Sequence, residues 1–150
     1  MRLTHIYRKT DEEKIGMKSW KIIDLKKNIE EDGVLLVAEE KNPIPFEIKR
    51  IFYVKEVLPG ASRGNHATKK TKLILVPVAG SCKVHVDNGT VQEDFLMDDD
   101  SKGLYIDEMV WRSMYDFSGD CVMLAICDHV YAPGNETYED YTEFLSAIGK

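Results

Sequence analysis

Little in this chain invites a covalent framework, a membrane span or a nucleic acid. Its 150 residues hold three cysteines, Cys82, Cys121 and Cys127. That number is odd and no CxxC spacing occurs, so neither a disulfide scaffold nor a zinc site is indicated. They read instead as small buried residues in a reducing compartment. No apolar run approaches the ~18–20 residues needed to cross a bilayer. Met1-Arg2-Leu3-Thr4-His5-Ile6 lacks the apolar centre of a secretory signal, and the expected location is the cytoplasm. Basic charge is also short. Twenty Lys and Arg against 26 Asp and Glu leave a net charge of −6, the wrong sign for a protein that neutralises nucleic-acid phosphates. Neither a nucleic acid nor a membrane is expected as partner. Helical spacing is scarce too, and is found only in 138–148, where Tyr141, Phe144, Leu145 and Ile148 would share one side.

What the chain has in quantity is short apolar runs broken by turn residues. With 43% hydrophobic content, a chain of this length can bury one substantial core. Residues 1–18 are mostly polar and are expected to form a tail before a single domain over 19–150. Trp20 to Leu25, Val34 to Ala38 and Ile48 to Val54 read as strands. So do Leu73 to Val78, Cys82 to Asp87 and Val91 to Leu96, the last two joined by the hairpin signal Asp87-Asn88-Gly89. Gly103 to Ile106, Val110 to Met114 and Cys121 to Cys127 add three more. About ten strands and one closing helix predict an all-β sandwich or barrel.

One stretch concentrates the chemistry. Arg63-Gly64-Asn65-His66-Ala67-Thr68-Lys69-Lys70 follows the turn at Pro59-Gly60 and leads into the apolar run at Leu73. At period two, His66, Thr68 and Lys70 fall on one side of a strand. An imidazole, a hydroxyl and a cation on one face suit the interior of a small barrel holding a polar ligand. An edge strand with a solvated face fits the same pattern. In 48–54, Lys49, Ile51 and Tyr53 share one face, and Ile48, Arg50, Phe52 and Val54 the other. If the first face is inward, Lys49 and Tyr53 touch the ligand; otherwise they are a packed tyrosine and a snorkelling lysine. Arg63, before a glycine at the expected mouth, is a further ligand candidate. His85, between Lys83 and Asp87, reads as a surface residue, and His129 as a structural one.

An ordered set of segments carries a family resemblance. Pro45-Phe46-Glu47-Ile48-Lys49-Arg50-Ile51-Phe52-Tyr53, Arg63-Gly64-Asn65-His66-Ala67 and Gly80-Ser81-Cys82-Lys83-Val84 come first. Asp87-Asn88-Gly89, Gly103-Leu104-Tyr105-Ile106, Trp111, Asp116-Phe117-Ser118, Tyr131 and Tyr138-Glu139-Asp140-Tyr141 complete it. Together they resemble the WxcM-like cupins over roughly residues 20–146. The resemblance implies a cupin-type jelly-roll barrel and a homodimer, often with exchanged N-terminal strands. It implies a metal-independent site with no cofactor. The activity it implies is that of a nucleotide-sugar 3,4-ketoisomerase acting on dTDP-4-keto-6-deoxyglucose in the synthesis of bacterial surface-polysaccharide sugars.

The chain departs from that family's pattern at two positions. Members commonly carry His-x-His, whose second histidine is held to be the base; here the sequence is His66-Ala67-Thr68. Many also carry a histidine after the tryptophan, where this chain has Arg112. The expected catalytic positions are therefore His66 and Thr68, with Lys49, Tyr53, Arg63 and Arg112 binding substrate and no metal bound. A threonine hydroxyl is no base by itself at neutral pH, so proton abstraction falls to His66 or to another group. A sugar-nucleotide-binding cupin without catalysis, or an epimerase-like variant of the same enol chemistry, fits the same residues.

Overall fold

Alternation decides which side of each strand is buried. In β9 (Cys82–Asp87), Cys82, Val84 and Val86 are fully buried while Lys83 is exposed, as period-two patterning requires. β9 pairs with β10 (Gln92–Met97) across the Asn88-Gly89 turn. Asn88 Oδ1 accepts from the Thr90 and Val91 amides at 3.0 and 2.8 Å, and Gly89 takes a φ of +87° that suits glycine. These two strands continue into β12 (Trp111–Tyr115), β7 (Arg63–Thr68) and β14 (Thr137–Tyr138), forming one five-stranded antiparallel sheet in that order. The other runs β1 (Trp20–Asp24), β11 (Lys102–Ile106), β8 (Leu73–Ala79), β13 (Val122–Cys127) and β6 (Arg50–Lys55). This is a computed structural model, and it describes residues 19–150. The polar tail expected over 1–18 lies outside the described residues.

The two sheets meet across a shared core. Leu73 and Leu75 of β8, Leu104 and Ile106 of β11 and Met123 of β13 pack against Val84, Val86 and Met114 of the second sheet. Each fully buried aliphatic side chain contributes about 1.5–3 kcal/mol through lost water contact. The first sheet is covered on its other face as well. Ile74, Val76 and Ile126 pack there with Leu25 and Ile44, which is why β8 reads as an unbroken apolar run. Pro77, which cannot donate to a ladder, sits where the β8–β13 register shifts beside Val122 and Met123. Two smaller pairs complete the strands, β2 (Lys26–Glu30) with β3 (Gly33–Val37), and β4 (Glu39–Glu40) with β5 (Pro43–Ile44). The all-β jelly-roll expectation holds.

The helix is shorter than the spacing predicts. α1 covers Tyr141–Ala147, and Tyr138, expected within it, ends β14 instead. Asp140 sets the boundary: its backbone is extended (φ −109°, ψ 124°) and its side chain accepts from the Glu143 amide at 3.0 Å, an N-cap that fixes where the helix begins. Phe144 is fully buried against Trp111, Tyr138 and Tyr141, at ring separations of 5.9, 6.4 and 6.1 Å. Tyr141 also donates to the carboxylate of Asp87. The helix thus caps the outer face of the second sheet and pins β14 to β7.

Candidate active site

A cavity of about 290 Å3 opens between the sheets, lined by side chains from β6, β7, β8 and β12 and by the 130–139 segment. β7 delivers His66 and Thr68 to it. The strand carries one extra residue: Arg63 and Gly64 pair with Met114 and Ser113, and the next aligned pair is His66 with Arg112. Such a bulge re-aims the side chains beyond it. Gly64 makes it possible, having a φ of +84° and Arg112 O only 3.2 Å from where a Cβ would stand. Asn65 absorbs the rest at φ +57°. The outcome is cross-strand registration of an imidazole with a guanidinium.

That pair is the centre of the cavity wall. Arg112 Nη2 lies 3.2 Å from His66 Nε2. A guanidinium has only donors, so Nε2 accepts and the ring proton belongs on Nδ1. Nδ1 faces Glu139 Oε1 at 3.8 Å. Burial, with help from the Arg112 charge and against the pull of Glu139, lowers the His66 pKa to about 4. At neutral pH the ring is uncharged and its lone pair can take a proton. Burial likewise brings Arg112 down to about 10, with Arg50 adding repulsion, and it stays cationic. Arg112 is 6% exposed. Its Nη1 and Arg50 Nε are buried with no hydrogen-bond partner among the described residues. Arg50 is held in place by the faces of Phe52 and Tyr131, whose ring centres lie 4.8 and 5.5 Å from Cζ.

Thr68 also lines the cavity, almost fully buried. Its hydroxyl donates to the Thr71 carbonyl at 2.7 Å, which leaves its oxygen lone pairs as acceptors. Of the six side chains expected at the site, the structure brings His66, Thr68 and Arg112 together and leaves three elsewhere. Lys49 lies outside this cavity and pairs with Glu47 at 2.8 Å. Tyr53 is 63% exposed, because the inward face of β6 carries Arg50, Phe52 and Val54. Arg63 stands across from Met114 at the start of β7. It lines a separate groove with Tyr53 and the 54–62 connection. Lys70, expected beside Thr68, lies beyond the end of β7 and is exposed.

Arg50, one of the cations expected near the barrel mouth, lines the cavity, and the lining residues that sequence reasoning did not single out include Phe52, Tyr131, Glu136 and Glu139. For β6 the alternation left the inward face open, with Arg50, Phe52 and Val54 on one side and Lys49, Ile51 and Tyr53 on the other. No local pattern marks 130–139 as cavity wall. His85 lies toward the surface and pairs with Asp94 at 3.1 Å. His129 pairs with Asp128 at 2.7 Å, away from the cavity wall. No helix among the described residues is long and apolar enough to cross a membrane.

Similarity to known proteins runs through both sheets and the cavity. The TDP-4-oxo-6-deoxy-alpha-D-glucose-3,4-oxoisomerase of Aneurinibacillus thermoaerophilus is 36% identical over 130 residues, covering 85% of this chain and 94% of its own. A TDP-fucose 3,4-ketoisomerase from Campylobacter jejuni superposes with a TM-score of 0.84 at 33% identity, over 88% of this chain and 97% of its own. A histidine-to-asparagine mutant of a 3,4-ketoisomerase from Thermoanaerobacterium thermosaccharolyticum, solved with TDP-4-keto-6-deoxyglucose, gives 0.83 at 30% identity, over 88% and 95%. The family model FdtA, described as WxcM-like, C-terminal, matches residues 18–149. With nearly all of its described residues inside that match, the chain belongs to the WxcM-like, C-terminal family.

Proposed function

We propose that this protein is a nucleotide-sugar 3,4-ketoisomerase acting on a dTDP-linked 4-keto-6-deoxyhexose. One observation carries the reading: in a chain of this family, a neutral imidazole and two guanidiniums converge on one cavity. The chemistry needs those groups. A C4 ketone acidifies the C3 proton; a base removes it and an enediolate forms. The proton is returned to C4, and another passes from O3 to O4. His66, uncharged at neutral pH, is the proton carrier in this reading. Arg112 and Arg50, each with an unpartnered buried donor, suit the enediolate oxygen and the diphosphate, which arginine binds through paired contacts. Thr68 accepts a hydrogen bond from a sugar hydroxyl. Glu136, on the same wall, is a second acceptor.

Two further expectations belong to this reading. The protein is a homodimer, as the resemblance implies and as the exposed apolar side chains of β2, β3 and β6 favour. It works in the cytoplasm, which suits three cysteines that are free and buried. A proton NMR time course with TDP-4-keto-6-deoxyglucose in heavy water tests the activity. Deuterium entering the ring at C3 or C4, with a 3-keto product appearing, is the expected result. A substrate that is bound but never labelled would sink the ketoisomerase assignment and leave a binding protein.

A further inference from the structure

The chain places threonine where its resemblance predicts a base, and its remaining histidine is pressed against an arginine. An imidazole in that setting is a poor proton acceptor, since the Arg112 charge opposes the imidazolium that must form. A carboxylate on the far side of the ring would relieve this, and the structure supplies one. Glu139 follows β14, whose Thr137 and Tyr138 pair with Thr68 and Ala67 of β7. The next position along that register is His66. Thr137 Oγ1 donates to Glu139 Oε1 at 2.6 Å. The same oxygen lies 3.8 Å from His66 Nδ1. Tyr138 is locked from behind by Phe144 and by Lys69, whose Nζ lies 4.7 Å from the ring centre. Glu139 therefore lines the cavity facing His66, with its side chain 70% exposed.

We propose that Glu139 is the positioning carboxylate of a Glu139–His66 couple that makes His66 a working base in this Thr68-containing site. The inference rests on the ketoisomerase reading and adds a residue to it. The Arg112 donor on Nε2 leaves the ring proton on Nδ1, on the side where Glu139 stands 3.8 Å away, and Nε2 carries the lone pair. A bound keto oxygen competes for the Arg112 donor that Nε2 now accepts. When Arg112 turns to that oxygen, Nε2 takes the proton from C3 as the C3–H electron pair moves toward the C4 carbonyl. The imidazolium that forms lies beside the Glu139 carboxylate, which counters part of the repulsion from Arg112. Returning the proton to C4 restores the neutral ring. The remaining charged and titratable groups on this wall are Arg50 of β6 with Tyr131 and Glu136 of the 130–136 segment. Of these groups and Glu139, it is Glu139 that faces Nδ1, at 3.8 Å.

The test compares wild type, Glu139→Gln and Glu139→Asp in the heavy-water exchange assay at pH 7, with TDP affinity measured by calorimetry. In Glu139→Gln, ring labelling should slow by roughly tenfold or more, as a fall in kcat with KM and TDP affinity little changed. Glu139→Asp should retain more of the rate than Gln. The His66 titration midpoint, followed by NMR, should move to lower pH in the Gln variant, because a raising influence is gone. Labelling at the wild-type rate in Glu139→Gln overturns the proposal while the ketoisomerase reading stands. Loss of TDP affinity in step with labelling also overturns it, making Glu139 a binding group. Wild type that binds TDP yet never labels the sugar brings down both together.

Discussion

At the scale of single residues, the cavity stores an unusual titration. His66 is half-buried beside a guanidinium, and its pKa stands at about 4 against an ordinary value of 6.5. Between those two pH values the unfolded chain binds a proton that the folded chain refuses. Stability therefore rises with pH through this window and is lost as pH falls from 6.5 toward 4. The effect should be on the order of 2 kcal/mol once partial solvent access is allowed for. His66→Asn removes the titrating group while filling similar space. Thermal unfolding of wild type and variant from pH 4 to pH 8 should show wild type gaining stability relative to the variant as pH rises from 4 to 6.5 and keeping that gain above it. A pH-independent gap between them would mean that His66 titrates normally. Ring labelling should be abolished in the same variant, because an amide is not a useful base.

At the scale of elements, the wall opposite His66 hangs on a two-residue strand. β14 is too short to be stable alone, and its place depends on α1, whose single fully buried residue is Phe144. Phe144→Ala should cost about 3–5 kcal/mol, by lost burial plus the cavity left behind. It should also loosen Glu139 from His66, so ring labelling should fall even at temperatures where the variant is folded. Calorimetric unfolding alongside the exchange assay checks both halves.

The same elements show what could be read in advance. Strands with clean alternation or unbroken apolar runs, such as Cys82 to Asp87 and Leu73 to Val76, were legible because burial imposes their pattern. The stretch around His66 was legible in part: alternation put His66 and Thr68 on one face, as observed, while Lys70 falls beyond the end of β7 and a solvated edge strand fitted the same pattern. The phase of β6 was not: Lys49, Ile51 and Tyr53 alternate as regularly as Arg50, Phe52 and Val54, and only packing against the second sheet selects the latter. Arg63 was expected to meet ligand because it precedes a glycine at the expected mouth, yet it lines a separate groove with Tyr53, and no local rule distinguishes the two openings. Tyr138 carries helical spacing, yet pairing with Ala67 and the Asp140 cap override it.

At the scale of the whole molecule, apolar surface remains uncovered on the outer side of the first sheet. Ile51 and Tyr53 of β6 and Val78 of β8 are exposed, as are Ile29, Val34 and Leu35 on the β2–β3 pair. Patches of this kind usually mark an interface, and a second copy of the chain is the proposed occupant. Light scattering at micromolar concentration should give twice the 17.2 kDa chain mass. Leu35→Glu should shift the protein toward monomer by placing a charge on that surface. A wild-type monomer would refute the assembly without touching the catalytic reading.

The placement of β7 between β12 and β14 has a consequence for biosynthesis. A ribosome delivers residues in order, and the cavity draws its wall from Arg50 through Glu139. A nascent chain that has emerged only through β13 can already stack both sheets and bring His66 to Arg112. It still has no carboxylate opposite the imidazole, because the strand that carries it there has yet to leave the exit tunnel. If Glu139 serves His66 as proposed, the order of synthesis makes the reaction centre the last part of the molecule whose pieces are all available.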